Sequence, residues 1–379
     1  MKGKEETPGG ITGKKKRKIL VSGGGTGGHI FPALAIADEL RSRLDAEILF
    51  VGAQGRMEMT RVPEAGYEII GLPVAGFDRK RPWRNFKVLF KLYSSMNKAR
   101  KIVKDFQPDL VVGVGGYASG PVLKSAQKAD IPTLIQEQNS YAGVTNKLLA
   151  KGADVICVAY DGMDRFFPAE KIVKTGNPIR KRLLSDTMTR KDALESFGLS
   201  ADKKTLLVVG GSLGALTINE SLEKNIKQLA EKGLQVIWQT GKNFGDRGPA
   251  AAKGLKGVVV TPFISDMAAA YRGADLVISR AGALSISELQ ALGKPAILVP
   301  SPNVAEDHQT HNAMALVEKN AAEFVKDSEA REKLVPLALS LLSDNDKLKE
   351  MSENISNMAL IDSAERIGKE AERILKMES

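Results

Sequence analysis

The sequence predicts an α/β fold with two domains, each built on a parallel sheet, that face each other across one cleft. The chain has 379 residues, which is enough for two domains of ordinary size. A short apolar strand, a glycine-rich turn and a helix start follow one another at residues 18–33, and the same order returns at residues 204–215. A Gly-Asn-Pro break at 176–178 separates the two copies. Strands that alternate with helices in this way are typical of parallel sheets.

The composition is that of a globular protein without a membrane span or a cysteine framework. Hydrophobic residues make up 43% of the chain, and no apolar run approaches the roughly 18 residues that a membrane span needs. The N-terminus is polar and basic, without the apolar stretch of a secretory signal, so we expect a cytoplasmic protein. Cys157 is the single cysteine, and the chain has three histidines. We therefore expect no disulfide framework and assign no metal to the site.

The net charge of +10 is concentrated in two stretches. Residues 1–17 are basic and lack apolar periodicity, so we expect a disordered tail outside the fold. Residues 77–104 hold ten Lys and Arg against one Asp, with Trp83, Phe86 and Phe90 at helical spacing among them. A basic helix with aromatic anchors is typical of a membrane-surface element. The alternative is a helix that packs its aromatic side chains in the core. Nucleic-acid binding is not favoured, because no nucleic-acid-binding fold surrounds the segment.

The first glycine turn combines a dinucleotide-like pattern with a histidine. Gly23, Gly25 and Gly28 satisfy the pattern G-x-G-x-x-G. A dinucleotide site also needs an acid at the end of the second strand to hold a ribose. The second predicted strand, 46–52, is followed by no such acid, which argues against an NAD-dependent oxidoreductase. His29 follows the glycines and is either a general base that faces the cleft or a helix-start histidine that only packs.

Polar residues crowd the end of a later strand in the first half. The predicted strand 131–139 ends in Gln-Glu-Gln-Asn, which includes Glu137 and Asn139. Asn146 lies in the helix that follows, and the preceding strand ends in glycines and Tyr117. Side chains at the carboxyl ends of strands indicate a ligand site, although the same residue types are also plain turn formers.

The best candidate for an anion site lies at residues 275–300, where a strand, a Gly/Ser turn and a helix follow one another. Ser285 and Ser287 suit a helix N-terminus, and Gly282 lets a ligand approach the backbone. Helix N-termini bind anions, and open α/β folds bind ligands at the carboxyl ends of strands. We interpret the stretch as the cradle of a nucleotide diphosphate, with Ser212 of the second glycine turn as a further phosphate ligand. The alternative is an ordinary strand–helix unit.

Eight short motifs occur in one order along the chain. They are GGGTGGHIFPALA (23–35), GVGGYASGPVL (113–123), EQNSYAGVTNKLLA (137–150), GNPIR (176–180), GGSLGA (210–215), FISDMAAAY (263–271), RAGALSISEL (280–289) and HQTHNA (308–313). Together they resemble the MurG family, the peripheral glycosyltransferases that make lipid II for peptidoglycan. Each motif alone is weakly specific, whereas eight in register are highly specific.

The resemblance implies the GT-B fold, in which two Rossmann-like domains enclose the active site. It places an acceptor- and membrane-binding domain at 18–177, a UDP-GlcNAc-binding domain at 178–350, and a last helix that returns to the first domain at 351–379. The implied reaction moves N-acetylglucosamine (GlcNAc) from UDP-GlcNAc to the 4-hydroxyl of undecaprenyl-diphosphate-linked MurNAc-pentapeptide (lipid I). The anomeric centre inverts, and lipid II is the product. No cofactor is implied, since UDP-GlcNAc is a substrate.

By motif position, the resemblance implies a set of donor contacts. They are Thr26, Gly27, Gly28, Asn139, Arg180, Ser212, Ile264, Ala283, Leu284, Ser285, Ile286, Ser287, Glu288 and Gln309. Glu288 would hold the ribose, the backbone of Ile264 the uracil, and Gln309 the sugar hydroxyls. Ser212 and the turn at 283–287 would hold the diphosphate. Many family members have two glutamines at the last position, where this chain has His308 and Gln309.

On the acceptor side, the resemblance implies His29, Tyr117, Glu137 and Asn146. The incoming hydroxyl needs a base, and both His29 and Glu137 qualify, so the choice between them stays open. Arg180 and the two glycine turns at helix N-termini can stabilise the departing UDP without a metal.

The implied partners are UDP-GlcNAc, lipid I and the anionic inner leaflet, with other cell-wall synthesis proteins as candidates. The basic aromatic segment would hold the enzyme on the cytoplasmic face of the plasma membrane as a peripheral protein. Two alternatives share the fold: a UDP-sugar diacylglycerol glycosyltransferase and a UDP-GlcNAc 2-epimerase. A non-enzymatic membrane adaptor is the alternative from another class, and it would not explain eight ligand-type turns that face one cleft.

Overall fold

The computed structural model describes residues 16–74, 85–179, 183–184, 187–211 and 213–377, without the side chains of residues 85–89 and 305. The expected disordered tail therefore lies almost wholly outside the described residues.

The first half of the chain forms a seven-stranded parallel sheet. Its strands are β1 (Lys18–Ser22), β2 (Glu47–Ala53), β3 (Glu68–Leu72), β4 (Leu110–Gly113), β5 (Thr133–Glu137), β6 (Val155–Val158) and β7 (Ile172–Lys174), in the order β3-β2-β1-β4-β5-β6-β7. Its helices are α1 (Gly27–Leu44), α2 (Glu58–Glu64), α3 (Asn85–Phe106), α4 (Ser119–Gln127) and α5 (Val144–Leu149).

The second half repeats this plan with six parallel strands. They are β8 (Thr205–Val209), β9 (Gln235–Gln239), β10 (Val258–Thr261), β11 (Leu276–Ser279), β12 (Ala296–Leu298) and β13 (Glu323–Phe324), in the order β10-β9-β8-β11-β12-β13. The helices are α6 (Arg190–Glu195), α7 (Leu216–Glu231), α8 (Arg247–Ala251), α9 (Met267–Gly273), α10 (Ala283–Ala291), α11 (His308–Val317), α12 (Ala330–Ser343), α13 (Asn345–Ser356) and α14 (Ser363–Met377).

The strands are continuous apolar runs because helices cover both faces of each sheet. β1 and β4 read KILVS and LVVG and are almost wholly buried. Ile19 and Val21 pack in one core cluster of the first half, whereas Leu20 packs in the other, as the two-residue period of a strand requires. In each sheet the strand order reverses beside the first strand, at β1/β4 and at β8/β11. Such reversals leave a crevice at the carboxyl ends of the strands, and both glycine turns lie there.

The end of the chain returns to the first half. Ile367, Ala371 and Ile374 of α14 are buried in the same cluster as Ile36 and Leu40 of α1. By contrast α13, which spans the predicted domain limit at residue 350, packs against α10 and α12 of the second half. Within the described ranges, no helix is both long enough and apolar enough to cross a membrane.

Candidate functional site

The first glycine loop, residues 23–28, lies between β1 and α1 and packs against the end of β4. A Cβ atom on Gly23 would lie 2.1 Å from Cγ2 of Val114, and one on Gly116 would lie 2.4 Å from the carbonyl oxygen of Gly24. Either contact would force the two segments apart, so the close approach requires glycine at both positions. The loop is therefore held tightly at the switch point of the first sheet.

His29 is the third residue of α1 and lies beside this loop. Its Nδ1 is 3.2 Å from Oγ1 of Thr26, and a Cβ on Gly115 would be only 3.1 Å from its Cδ2 and Nε2. Desolvation of the partly exposed side chain, followed by the electrostatic effect of His308 from the other half, lowers the pKa of His29 to about 4. The backbone of Gly24 and the carboxylate of Glu58 oppose this lowering of the pKa. The imidazole is thus neutral at pH 7 and able to accept a proton.

Glu137, the other candidate base, is buried at the end of β5. Its Oε1 accepts from the backbone N–H and side-chain amide of Asn139 at 3.1 and 3.3 Å. Its Oε2 accepts from Gly143 N–H at 3.0 Å and from Asn146 Nδ2 at 2.9 Å. Four donors therefore surround the carboxylate, which shapes the loop between β5 and α5. Taking up a proton there would weaken these hydrogen bonds, so the geometry favours His29 as the base.

The predicted acceptor residues differ in exposure. Tyr117 is 59% exposed in the loop after β4, where a large ligand can reach it. Asn146 is buried, and within the described part of the chain its Oδ1 accepts no hydrogen bond. A buried acceptor without a donor is costly, so Asn146 keeps an unused acceptor, while its Nδ2 lies near Gly115.

Asn312 of α11 joins the two halves and was missed in the sequence. Its Oδ1 accepts from the N–H and hydroxyl of Ser140 at 2.9 and 3.1 Å. Its Nδ2 donates to Asn139 Oδ1 at 3.1 Å and to the carbonyl of Ala281 at 3.3 Å. Predicted donor residue Asn139 is therefore also a contact between the halves. The only sequence signal was the position of Asn312 inside the motif HQTHNA.

The second glycine loop, residues 210–215, lies between β8 and α7. A Cβ on Gly214 would be 2.1 Å from the carbonyl oxygen of Thr240, and one on Gly241 would be 2.0 Å from the nitrogen of Gly214. Asn219 Nδ2 donates to the same Thr240 carbonyl at 2.7 Å. Neutral backbone and amide groups thus support this loop.

A cavity of about 550 Å³, here called the second-loop cavity, opens between this loop and α10. Its walls combine glycine backbone with polar side chains. They include Gly211, Gly214, Thr217, Arg280, Gly282, Ser285, Ser301, Gln309 and Asp327. The oxygen Oε1 of Gln309 accepts from the N–H of Ser301 at 2.9 Å, which fixes the orientation of the amide. The N-terminus of α10 faces a site of this kind with positive partial charge.

Arg280 in the wall of this cavity is a second residue that the sequence did not reveal. Its Nη1 pairs with Asp327 and donates to the carbonyls of Val299 and Pro300 at 3.0 and 3.1 Å. The guanidinium is therefore anchored below the turn that precedes α10. Its partners come from distant parts of the chain, so local sequence indicates only a turn at this position.

The six predicted donor residues of α10 fall into different environments. Ser285 lines the second-loop cavity, while Leu284 and Glu288 line a neighbouring cavity of about 690 Å³ beside α1. Ile286 is in the core, so its backbone is the part that could reach a ligand. The Ser287 hydroxyl donates to the carbonyl of Ala283 at 3.0 Å and accepts from an amide of the first half, Asn177, at 3.1 Å.

Glu288, the predicted ribose ligand, is buried beside a tyrosine. The Tyr271 hydroxyl donates to its Oε2 at 3.2 Å. Ile264, the predicted uracil contact, packs in the same core cluster as Tyr271. Thr26 is the N-cap residue of α1, and Gly27 and Gly28 are its first two residues.

Some predicted residues lie outside the described part of the chain. They are Arg180, Ser212, Trp83 and the side chain of Phe86. Phe90 is described and is 75% exposed on α3, as is Tyr93 at 67%, whereas Ala99 and Ile102 of the same helix are buried. Among the described residues, no cluster of three or more His, Cys, Asp or Glu side chains is arranged to hold a metal ion.

Comparison with known proteins defines the class of this fold and cleft. Residues 19–158 match the glycosyltransferase family 28 N-terminal domain, and residues 205–367 match the family 28 C-terminal domain. The chain belongs to glycosyltransferase family 28. The two parallel sheets and these two matches confirm the predicted GT-B fold.

Several relatives cover almost the whole chain. The chain is 59% identical over 371 residues to the UDP-N-acetylglucosamine–N-acetylmuramyl-(pentapeptide) pyrophosphoryl-undecaprenol N-acetylglucosamine transferase of Bacteroides thetaiotaomicron, covering 97% of this chain and 100% of that protein. It is 55% identical over 367 residues to the protein of the same name from Porphyromonas gingivalis, covering 96% and 97%. The crystal structure of Acinetobacter baumannii MurG matches with a TM-score of 0.77 at 32% identity, covering 94% of this chain and 99% of that one. The resemblance to the MurG family is confirmed.

Proposed function

We infer that this protein transfers GlcNAc from UDP-GlcNAc to the 4-hydroxyl of the muramyl sugar of lipid I and so produces lipid II. The observation that carries the inference is the 59% identity to a transferase of that name, which extends over 97% of this chain and therefore includes both walls of the cleft. The enzyme is a UDP-GlcNAc-dependent N-acetylglucosaminyltransferase.

The donor occupies the second half in this proposal. The diphosphate lies in the second-loop cavity at the N-terminus of α10, where Ser285 and the anchored Arg280 line the wall. Glu288 binds the ribose hydroxyls with its carboxylate held by Tyr271. The cavity that contains Glu288 adjoins α10 on its other side, so the nucleotide passes across the first turns of this helix. Gln309 meets the sugar.

His29 is the general base of the transfer. Thr26 Oγ1 at 3.2 Å from Nδ1 leaves Nε2 to take the proton of the acceptor 4-hydroxyl. As the acceptor oxygen bonds to the anomeric carbon from the face opposite UDP, the bond to the β-phosphate oxygen breaks and the electron pair leaves with UDP. The anomeric configuration inverts. The neutral state of His29 at pH 7 supports this role, and the four donors on Glu137 support a structural role for that carboxylate.

Negative charge grows on UDP as the bond breaks. The positive end of α10 at the cavity wall is already in place to stabilise this charge, whereas the charge of Arg280 is balanced by its ion pair with Asp327. Preorganised donors of this kind lower the barrier because they need no reorganisation during the reaction.

The acceptor carries a lipid, and we place the enzyme on the cytoplasmic face of the plasma membrane as a peripheral protein. Phe90 and Tyr93 are largely exposed on α3, and ten Lys and Arg fall within residues 77–104. Exposed aromatics that insert at the interface and basic residues that meet anionic lipid act together in such binding.

The direct test measures transfer of radiolabelled GlcNAc from UDP-GlcNAc to a short-chain lipid I analogue. We expect a labelled disaccharide lipid that depends on the muramyl acceptor. Two reactions are run in parallel. One contains diacylglycerol and UDP-galactose, and the other contains UDP-GlcNAc without any acceptor. Product formed only with diacylglycerol, or conversion of free UDP-GlcNAc to its 2-epimer without an acceptor, would replace this proposal with one of the two alternatives.

A further inference from the structure

Glu58 is a buried carboxylate directly beneath the first glycine loop. It opens α2 and has no exposed surface. Its Oε1 accepts from the N–H of Ala53 at 2.9 Å, and its two oxygens lie 3.2 and 3.1 Å from the nitrogen of Gly25. Charge-assisted hydrogen bonds of this kind are about twice as strong as neutral ones. One side chain thereby ties the end of β2 to the middle of the loop.

Two glycines from separate segments make room for this side chain. A Cβ on Gly24 would lie 2.1 Å from Oε1 of Glu58, and a Cβ on Gly52 would lie 2.6 Å from its Cγ. Any side chain at either position would displace the carboxylate. The glycines at 24 and 52 thus leave the space that the Glu58 carboxylate needs, in addition to any space that a ligand in the cleft needs at the loop.

The fixed loop leads directly to the proposed base. Thr26 follows Gly25, and its carbonyl accepts from the N–H of His29 at 3.1 Å while its hydroxyl meets Nδ1 at 3.2 Å. Gly116 presses on Gly24 from the opposite side. The position of the imidazole is therefore determined by a short path that starts at the Glu58 carboxylate.

We propose that Glu58 is a positioning residue for the transfer, because its carboxylate fixes Gly24 and Gly25 and, through Thr26, the imidazole of His29. This inference rests on the proposed function, in which His29 is the base. Because the N–H of Gly25 donates to the Glu58 carboxylate, the part of the loop that can contact a ligand begins at Thr26. The negative charge of Glu58 also counteracts the effect of His308 on the pKa of His29.

The substitution Glu58→Gln tests this role while keeping the size of the side chain. An amide oxygen in the place of Oε1 can still accept from Ala53 N–H, but the amide NH2 in the place of Oε2 then faces the N–H of Gly25. A displacement of about 1 Å at a reacting group can cost about 100-fold in rate. We expect kcat to fall about 10- to 100-fold, while KM for UDP-GlcNAc changes by a smaller factor, because only Thr26, Gly27 and Gly28 of the predicted donor contacts lie in this loop.

Asp109→Asn is the matched control. The Asp109 carboxylate accepts from the N–H of Lys18 at 2.7 Å, at the opposite end of β1 from the loop. Like Glu58→Gln, this substitution neutralises a carboxylate that accepts from a backbone N–H of the same sheet, and it also removes an ion pair with Arg17. We expect kcat near that of the unmodified protein. Equal losses of kcat in the two variants would show a general effect on the fold and overturn the proposal.

Combination with His29→Ala separates this proposal from the proposed function. If Glu58 acts through His29, Glu58→Gln lowers the residual rate of His29→Ala by less than about twofold, since coupled residues are not additive. A full further loss would place the action of Glu58 elsewhere. Wild-type turnover in His29→Ala would overturn the assignment of His29 as the base. Reduced turnover in His29→Ala together with normal turnover in Glu58→Gln would overturn only the role of Glu58.

If Glu58→Gln does not fold, Glu58→Asp carries the same test. It keeps the charge but is shorter by one methylene, so it cannot reach both Ala53 and Gly25. We expect the same selective loss of kcat, and unchanged kcat in folded Glu58→Asp would contradict the proposal.

Discussion

The two glycine loops have similar sequence patterns but different supports. The first, at residues 23–28, packs on the buried carboxylate of Glu58, which accepts a hydrogen bond from the backbone N–H of Gly25. The second, at residues 210–215, rests on the carbonyl of Thr240 and borders an open cavity that contains Arg280. A loop with negative charge beneath it suits a proton-accepting site, whereas a loop open to helix N-terminal N–H groups suits a diphosphate. The same strand–glycine–helix pattern has thus produced two chemically different walls of the cleft. The first wall contains the loop at residues 23–28, and the second wall contains the loop at residues 210–215 and α10.

The largest expected effect comes from the first wall. His29→Ala removes the proposed base, and general-base catalysis contributes about 10²- to 10⁴-fold. We expect kcat to fall within that range in the radiolabel assay, with UDP-GlcNAc affinity by calorimetry unchanged within about twofold. If UDP-GlcNAc affinity falls as much as turnover in this variant, the assignment of the base to the first loop and of the donor to the second loop is contradicted.

The reverse pattern is expected from the second wall. Glu288→Ala removes the proposed ribose ligand, and hydrogen bonds to a charged group contribute about 1.5–3 kcal/mol, which corresponds to about 10- to 100-fold in UDP-GlcNAc affinity. Tyr271→Phe removes only the hydroxyl that holds this carboxylate and should weaken binding less. Calorimetric titration with UDP-GlcNAc measures both, and unchanged affinity in Glu288→Ala rejects the ribose assignment.

The membrane surface should be separable from both walls. The double substitution Phe90→Ser and Tyr93→Ser removes two exposed aromatic side chains from α3. Burying one such side chain is favourable by about 1.5–3 kcal/mol, so binding to anionic liposomes should fall at least about tenfold. Turnover of a water-soluble acceptor should stay within about twofold. Met377→Ser, at a residue 74% exposed on α14, is the control and should leave liposome binding intact.

The smallest effect concerns pH. Because the pKa of His29 is lowered to about 4, the base stays neutral over the physiological range, and kcat/KM should vary less than about twofold between roughly pH 5.5 and 7.5 from this group. A base with the ordinary pKa of about 6.5 would lose half its activity near that pH. The unfolded chain protonates this histidine first, so the free energy of unfolding should also decline as the pH falls from about 6.5 towards 4. A kinetic half-point near pH 6.5 would contradict the neutral, desolvated imidazole.

Much of the architecture could be predicted from local sequence. The apolar strands and the glycine turns follow from residue types within a few positions of one another, and the break at 176–178 separated the two copies. The eight motifs identified the family, which the comparisons confirm. Local sequence also suggested His29, since a histidine directly after a glycine turn is unusual.

The supporting residues could not be predicted in the same way. Glu58 contacts Gly25 from 33 positions away, Arg280 pairs with Asp327 from 47 positions away, and Asn312 reaches Asn139 across the cleft from 173 positions away. Their neighbours in sequence carry no trace of these partners. Such long-range hydrogen bonds are fixed by the packing of whole elements, which a one-dimensional pattern does not contain.

The packing of α14 against α1 has a consequence for the order of folding. Ile367, Ala371 and Ile374 complete the cluster around Ile36 and Leu40. A nascent chain whose first sheet has already left the ribosome therefore still lacks part of the helix layer that covers this cluster. During synthesis the part of α1 that α14 covers stays open until the last helix emerges from the ribosome. Long-range closure of this kind slows folding and prolongs exposure to aggregation. The half of the protein that is made first is therefore the half that is finished last.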